Sequence, residues 1–501
     1  MKIFKKRLIS LLVLVFLFKI FLFFVFCDQP LNIVDEHHYN KLALSLFERG
    51  EFGWAPGKLT AIRPPLYPAF LCVIYRIFGP NSHNWVRFIQ ILISLASGFL
   101  VYLLAKRLFR QEKIALFASL FFLFYPSLII FNYLILTETL FIFLFLLALL
   151  FLISAIFVNG NGENKKSSFG RWKLTIYLLV AGIFWGLASL TRSVTYPLVP
   201  LVGLFLFFIW PKKRQWVMAS FIFVIAVTLT LAPWMIRNYR VFGHFIAVDT
   251  MGGLNLYMGN YDYTPLHRAW AAVDNPSEIA WYRGHEKELH GLNEAEKQRW
   301  TIKEALEFMK KHPGLTALRT LIKTANFWQL ERAIIAGMRA GYFPALRNRA
   351  LEIFIAISIF CSYVFITILG VSGLIWRITV GGKLNVEGQI VSDRPSLERK
   401  LPESIWHSLR FVDWLIILII LYFTGIHAIV FGHSRYHLPL IPVLCIYASF
   451  LGCNFRKLWL EHREHFWRVF VPVCMIFGCF WGYDIFIGSK DKILALIRIL
   501  L

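Results

Sequence analysis

Acidic residues are scarce in this chain. Against 53 Lys and Arg stand 29 Asp and Glu, and only 16% of the 501 residues carry charge. That excludes a soluble surface of ordinary composition, where about a quarter of residues are charged. Cysteine is sparse too. The seven cysteines form no CxxC pair and no metal-ligand spacing, and most lie inside apolar runs (Cys361, Cys445, Cys453, Cys474, Cys479), so they read as small buried apolar residues. No Gly-rich dinucleotide fingerprint follows a strand pattern. Gly57-Lys58 is followed by Leu59 and lacks the upstream glycine of a phosphate loop. No RNA or DNA motif accompanies the formal charge of +24, which suits membrane lipids and anionic ligands rather than nucleic acid.

What the chain has in abundance is apolar length. Hydrophobic residues make up 58% of it, in runs near the ~20 residues that one bilayer crossing needs. The sequence predicts an all-α polytopic membrane protein. Residues 1–7 hold four cations, and the run Leu8–Cys27 is too long for a signal-peptide core and lacks a small-residue cleavage site. It is expected to remain as a first helix with its N-terminus inside. Further spans are expected near 86–105, 114–130, 139–158, 174–190, 197–210, 215–233, 351–376, 413–431, 438–455 and 469–488, about eleven crossings in all. The connections 106–113, 159–173, 211–214 and 455–468 are rich in Lys and Arg and fall on the N-terminal side, as the positive-inside rule requires.

The expected organisation is a membrane module over 1–233 with a first outer loop at 28–85, a long outer segment at 234–350, and membrane helices over 351–501. Within the long segment, Glu294–Lys311 and Leu315–Ala333 mix apolar and charged positions at helical spacing, which predicts short amphipathic helices on the outer face. No tandem or inverted repeat is visible.

The chemistry-bearing residues gather at the predicted outer turns. Asp35-Glu36-His37-His38-Tyr39 follows the first helix, and its paired carboxylates suit a general base or a metal ligand, or equally the acidic first turn of a helix. Arg63-Pro64-Pro65-Leu66-Tyr67-Pro68 holds one arginine beside three prolines, a pattern that an ordinary turn also explains. Glu138 lies between two apolar runs, where an ionisable side chain is costly and a functional role is the default. Arg192, Arg237 and Arg435 occupy separate outer turns. Snorkelling to headgroups accounts for any one of them; together they suit a lipid-linked phosphate, which arginine grips through two hydrogen bonds.

Other patterns carry no chemistry. His285-Glu286 with His290 spaces its imidazoles five residues apart, off the shared helix face that a zinc protease needs, and His462 with His465 reads as surface.

Seven motifs in order resemble a known family. They are the acidic pair at 35–36, Arg63–Pro68, Thr137-Glu138-Thr139-Leu140, Gly186–Arg192, Ala232–Tyr239, Gly252–Asn260 and Ser434–Pro442. Together they resemble bacterial membrane glycosyltransferases of the GT-C fold, nearest the family 39 and aminoarabinose-transferase-like group related to protein O-mannosyltransferases. The resemblance covers roughly residues 30–445. It implies an inverting enzyme of the bacterial plasma membrane, its active site facing the periplasm, that passes a sugar from a polyprenyl-phosphate donor to a lipid, glycan or protein acceptor.

By position, the resemblance makes Asp35 the catalytic base, with Glu36 beside it and Glu138 as a second acidic site residue. It makes Arg63 a contact of the carrier phosphate, and Arg192, Arg237 and Arg435 are assigned to the same phosphate. Some members of the fold use a divalent cation such as Mg or Mn, and the residues here leave that open. The competing readings are a transporter or flippase of lipid-linked sugars, and a catalytically inactive scaffold.

Overall fold

A computed structural model describes residues 2–160, 168–209, 213–267, 269, 285–346, 348–380 and 403–488. Helix α1 (Lys2–Phe26) leads into a loop that carries α2 (Val34–Arg49), a hairpin of β1 (Gly53–Ala55) and β2 (Lys58–Leu59), and α3 (Leu66–Phe78). Then come α4 (His83–Phe109), α5 (Glu112–Leu123), α6 (Pro126–Phe131), α7 (Glu138–Gly160), α8 (Ser168–Thr191), α9 (Val199–Ile209) and α10 (Lys213–Phe242). The segment after α10 folds as α11 (Met251–Met258), α12 (Glu286–Leu289), α13 (Glu294–Lys311), α14 (Pro313–Phe327) and α15 (Ala333–Arg339). The chain closes with α16 (Arg349–Val380), α17 (Glu403–Ile429), a 3-10 turn over Ser434–Leu440, α18 (Ile441–Glu461) and α19 (Arg463–Tyr483).

The all-α membrane architecture is the expected one, with a smaller count of spans. Among the described residues nine helices are long and apolar enough to cross a bilayer, not eleven. The stretch 114–130 is cut by Pro126, which has no N–H to continue a helix. It yields α5, of 12 residues, and the single-turn-and-a-half α6. Twelve residues at 1.5 Å rise give about 18 Å, well short of the ~30 Å hydrocarbon layer. The stretch 197–210 is likewise reduced to the 11 residues of α9. Parts of the basic connections at 159–173 and 211–214 lie outside the described residues.

The first of the two amphipathic helices has the expected bounds. Asn293 caps α13 by accepting from the amides of Ala295 and Glu296, and its own amide donates in turn to the Glu296 carboxylate at 2.8 Å. This reciprocal cap satisfies donors that a helix start leaves open. Helix α14 stops at Phe327, short of the expected end at 333, and leaves Leu315, Leu318 and Leu321 exposed along one stripe.

One continuous apolar core links the membrane helices. Two glycines let α16 lie against α18: a Cβ on Gly370 would come within 2.7 Å of the Leu444 carbonyl oxygen, and one on Gly373 within 2.3 Å of that of Tyr447. Small residues of this kind are what close helix approach in a membrane requires. Nearby, Arg377 of α16 and Asp413 of α17 form a buried pair at 3.0 Å. Tyr447 donates to the other Asp413 oxygen at 2.6 Å, and the guanidinium lies 4.2 Å from the Phe109 ring centre. At the opposite end of these helices the start of α2, the start of α7, the end of α8 and the turn before α18 converge.

Candidate active site

Asp35 stands in the first turn of α2, where a carboxylate is favoured by the exposed amides of a helix start. Its Oδ1 accepts from Arg63 Nη2 at 2.7 Å and its Oδ2 from Arg435 Nη1 at 2.9 Å. Pro64 and Pro65 fix the backbone between Arg63 and α3, so the arginine is held at the helix entry. Arg435 sits in the 3-10 turn. It reaches past Asp35 to donate from Nε to Glu138 Oε1, the first residue of α7, and Arg192 Nη1 donates to the same oxygen at 2.9 Å. Five side chains that the sequence spreads over 400 positions thus form one network of two carboxylates and three guanidiniums.

The network has unused capacity. Glu138 Oε2 and Arg63 Nε are both buried and both lack a partner. Unpaired buried polar atoms are costly and call for an explanation. The remaining edges are only partly closed: the side chains of Asp35, Arg63, Arg192 and Arg435 keep 24%, 15%, 15% and 19% of their surface.

Burial disfavours charge on Asp35, but Arg63 and Arg435 more than offset it and hold its carboxyl well below the usual carboxylate range. His38 Nδ1 lies 3.1 Å from Arg63 Nη2, and since guanidinium only donates, that nitrogen accepts. Burial and the Arg63 charge both lower the His38 pKa, which keeps the ring neutral. On the other flank His433 Nδ1 accepts from the Arg435 amide at 3.1 Å and caps the turn that carries this arginine.

That turn is braced from below. His437 Nδ1 donates to the Phe327 carbonyl at 2.7 Å, and its Nε2 lies 3.0 Å from Glu331 Oε1. Tyr125 donates to the same carboxylate at 2.7 Å, and Ser127 donates to its other oxygen.

Two expected site residues take other places. Glu36 is buried and both its oxygens are occupied by backbone: Oε2 accepts from the amides of Asn32 and Ile33, each at 3.1 Å, and Oε1 from Ile135 at 2.9 Å. It ties the start of α2 to the loop before α7 and has no contact with the guanidiniums. Arg237 does not join the network at all. Its guanidinium donates to the carbonyls of Thr60 at 2.8 Å and Phe52 at 2.9 Å, and stacks 4.8 Å from the Trp234 ring centre. The two carbonyls beside the hairpin fix it there.

One residue is new. Asp249, just before α11, lies near the Ser193 hydroxyl and the amides of Met251 and Gly252, which together with the Arg63 charge favour its ionised form. Burial raises its pKa. The sequence signal is an acid three residues before the Gly252–Asn260 motif, with nothing to place it near Arg63.

The donor set does not suit a hard cation. Among the described residues no group of three His, Cys, Asp or Glu side chains is placed to hold a metal. Three of the four carboxylate oxygens of Asp35 and Glu138 already face guanidiniums, so a dication between them would meet three like charges.

Comparison with known proteins bears on the fold. The Dolichyl-phosphate-mannose-protein mannosyltransferase family matches residues 62–236, a segment that includes Arg63, Glu138 and Arg192. The apo oligosaccharyltransferase of Archaeoglobus fulgidus is 14% identical, aligns with 91% of this chain and 52% of its own, and gives a TM-score of 0.50. The same archaeal enzyme tethered to an acceptor peptide with an NVT sequon gives 0.50 over 94% and 53% at 14% identity. ArnT from Cupriavidus metallidurans in the apo state, also 14% identical, gives 0.39 over 90% and 78%. This chain spans about half the length of the archaeal enzyme. No curated protein sequence matches it. The chain is a polytopic membrane protein with the GT-C fold of membrane glycosyltransferases.

Proposed function

We propose that this protein is an inverting glycosyltransferase that moves a sugar from a polyprenyl-phosphate donor to an acceptor on the outer face of the bacterial plasma membrane. The observation that carries the reading is the network of Asp35, Glu138, Arg63, Arg192 and Arg435. A fixed carboxylate and several guanidiniums at one end of a membrane bundle are what this reaction needs: a base for the acceptor and cations for a phosphate leaving group. The first two arms of the matched family segment, Arg63 and Glu138, meet residues from outside it, Asp35 and Arg435, to complete the site.

In the proposed step Asp35 takes the proton from an acceptor hydroxyl or amine. The freed lone pair attacks the anomeric carbon, the bond from that carbon to the phosphate oxygen breaks, and its electron pair leaves with the phosphate. Arg63 and Arg435 stabilise the charge that develops on the phosphate, and Arg192 holds Glu138 in place. The guanidiniums take the part that Mg or Mn has in other sites of this kind, and no metal enters the step. Glu36 and Arg237 are positioning residues here. Lipid, glycan and protein acceptors all supply suitable nucleophiles.

The test is transfer by purified protein in detergent, with radiolabelled polyprenyl-phosphate sugars and a membrane extract as acceptor, wild type beside Asp35→Asn. Label reaching an acceptor with wild type alone supports the reading. Label that instead crosses liposome membranes unaltered identifies a flippase and overturns it.

A further inference from the structure

In the structure the proposed base is not free to act. Each oxygen of Asp35 receives one guanidinium, at 2.7 Å from Arg63 and 2.9 Å from Arg435. A carboxylate held by two cations is a poor proton acceptor, because taking a proton forfeits both charge-assisted bonds. The same arginines are the groups best placed to meet a phosphate. Within the hydrogen-bonded network itself three guanidiniums stand against two carboxylates, one formal positive charge in excess, and Asp249 acts on Arg63 from outside these pairs. Arg63 Nε is buried without a partner and offers one further donor to a phosphate.

We infer that the donor phosphate arms the base: on binding, it draws Arg63 and Arg435 from the Asp35 oxygens, so that Asp35 becomes a competent proton acceptor only when a sugar is in place to be transferred. The inference rests on the proposed reading and adds to it an order of events. Arg435 is suited to the exchange because Glu138 holds its Nε and leaves Nη1 to be shared between Asp35 and the anion. Arg63 is anchored in the same way by its position before two prolines and by its cation-π contact with Tyr39, 5.7 Å from the ring centre. Without a donor, an acceptor that entered the site would meet a disarmed carboxylate, and donor hydrolysis in an acceptor-free site would depend on water alone reaching an armed one.

Linkage makes this testable without chemistry. If phosphate and the Asp35 carboxylate compete for the same guanidiniums, each weakens the other's hold, and removing the carboxylate charge tightens phosphate binding. The affinity of purified full-length protein in nanodiscs for polyprenyl phosphate, with no sugar attached, is measured for wild type, Asp35→Asn and Asp35→Ala. Melting curves show which variants are folded, and either folded variant suffices. The expected result is binding roughly tenfold tighter than wild type, within the range of ordinary coupling between sites, together with loss of transfer. Affinity unchanged or weakened in the folded variants would mean that Asp35 organises the arginines and does not compete for them; that outcome overturns the arming of the base and leaves the transferase reading intact. No binding of polyprenyl phosphate by folded wild type or variants would overturn both.

Discussion

The protein buries ion pairs at both ends of its membrane bundle, and they are built on opposite principles. Arg377 and Asp413 form a one-to-one pair, 0% and 2% exposed, closed over by Phe109 and completed by the Tyr447 hydroxyl. The network at Asp35 and Glu138 sets three guanidiniums against two carboxylates and stays 15–24% exposed at four of its five members. Both sites hold guanidinium nitrogens outside hydrogen bonds, Arg63 Nε here and Arg377 Nε and Nη1 there, so the unpaired carboxylate oxygen, Glu138 Oε2, is what the open network adds. Charge balance and closure make the first a staple between helices. Charge excess and an open edge give the second the features that the proposed phosphate site requires. Burial alone does not distinguish the two, since Glu138 at 1% is as buried as Asp413.

The largest effects are expected where the open network is broken. Asp35→Asn keeps the shape and removes the charge, and transfer should fall by about 10²–10⁴-fold, the usual contribution of a positioned base. Arg435→Gln severs the link between the two carboxylates and should cost about 10²–10³-fold, comparable to losing one oxyanion donor. In both, melting temperature in detergent should change little beside the closed pair. A fall in melting temperature parallel to the fall in transfer rate would make the open network a staple as well, and the contrast would collapse.

The closed pair should respond the other way round. Arg377→Met leaves Asp413 buried without its cation and should cost about 3–5 kcal/mol of stability. The double variant with Asp413→Leu should recover most of that loss, because a buried pair is often replaceable by apolar side chains of similar size. Transfer per folded molecule should stay near wild type throughout. Melting curves and initial rates on the same preparations check both halves.

Arg237 sharpens the comparison within a single residue type. Arg237→Met removes donors to two buried-loop carbonyls and should destabilise by about 1–3 kcal/mol, while the affinity for polyprenyl phosphate stays within about twofold. Arg63→Gln should weaken that affinity by roughly tenfold, the cost of one charge-assisted contact. If both arginines changed affinity alike, the phosphate would be reaching the hairpin side of the site.

Much of this architecture is legible in the sequence because a bilayer constrains it so strongly. Run length gives the spans, and the count is too high only where a proline or a short run leaves a helix below bilayer thickness, at 114–130 and 197–210. The site is legible as a set of residue types at the turns between helices: Asp35, Arg63, Glu138, Arg192 and Arg435 do meet. What position along the chain cannot give is direction. Asp35 and Glu36 are neighbours, yet one faces guanidiniums and the other backbone amides, because successive residues of a helix point about 100° apart. Arg237 lies in a motif as suggestive as that of Arg192, and its partners are carbonyls of a hairpin that no local pattern connects to it. Asp249 precedes α11 and Ser193 follows α8, and only the folded chain brings this acid near Arg63.

The smallest predicted effect concerns the hinge of the open network. His433 holds the turn of Arg435 through an Nδ1 that must stay unprotonated to accept the Arg435 amide. Burial first, and then the charge of Arg435, push its pKa down to about 3. In the unfolded chain a histidine titrates near 6.5. Between these values the unfolded state binds the proton and the folded state does not, so stability is lost as the pH falls from about 6.5 toward 3 and is fully present above that window. The slope is at most about 1.4 kcal/mol per pH unit for one group. His433→Asn retains an acceptor oxygen near the same place and has no proton to gain. Its melting temperature should therefore vary less than that of wild type from pH 7 to pH 5, with the two converging at the acid end. Because protonation would also release the turn that aims Arg435, the transfer rate of wild type should fall more steeply over the same interval than that of the variant. The closed pair, which has no histidine among the partners named above, gives no reason for such a difference, and Arg377→Met should shift the whole melting curve without altering its dependence on pH there.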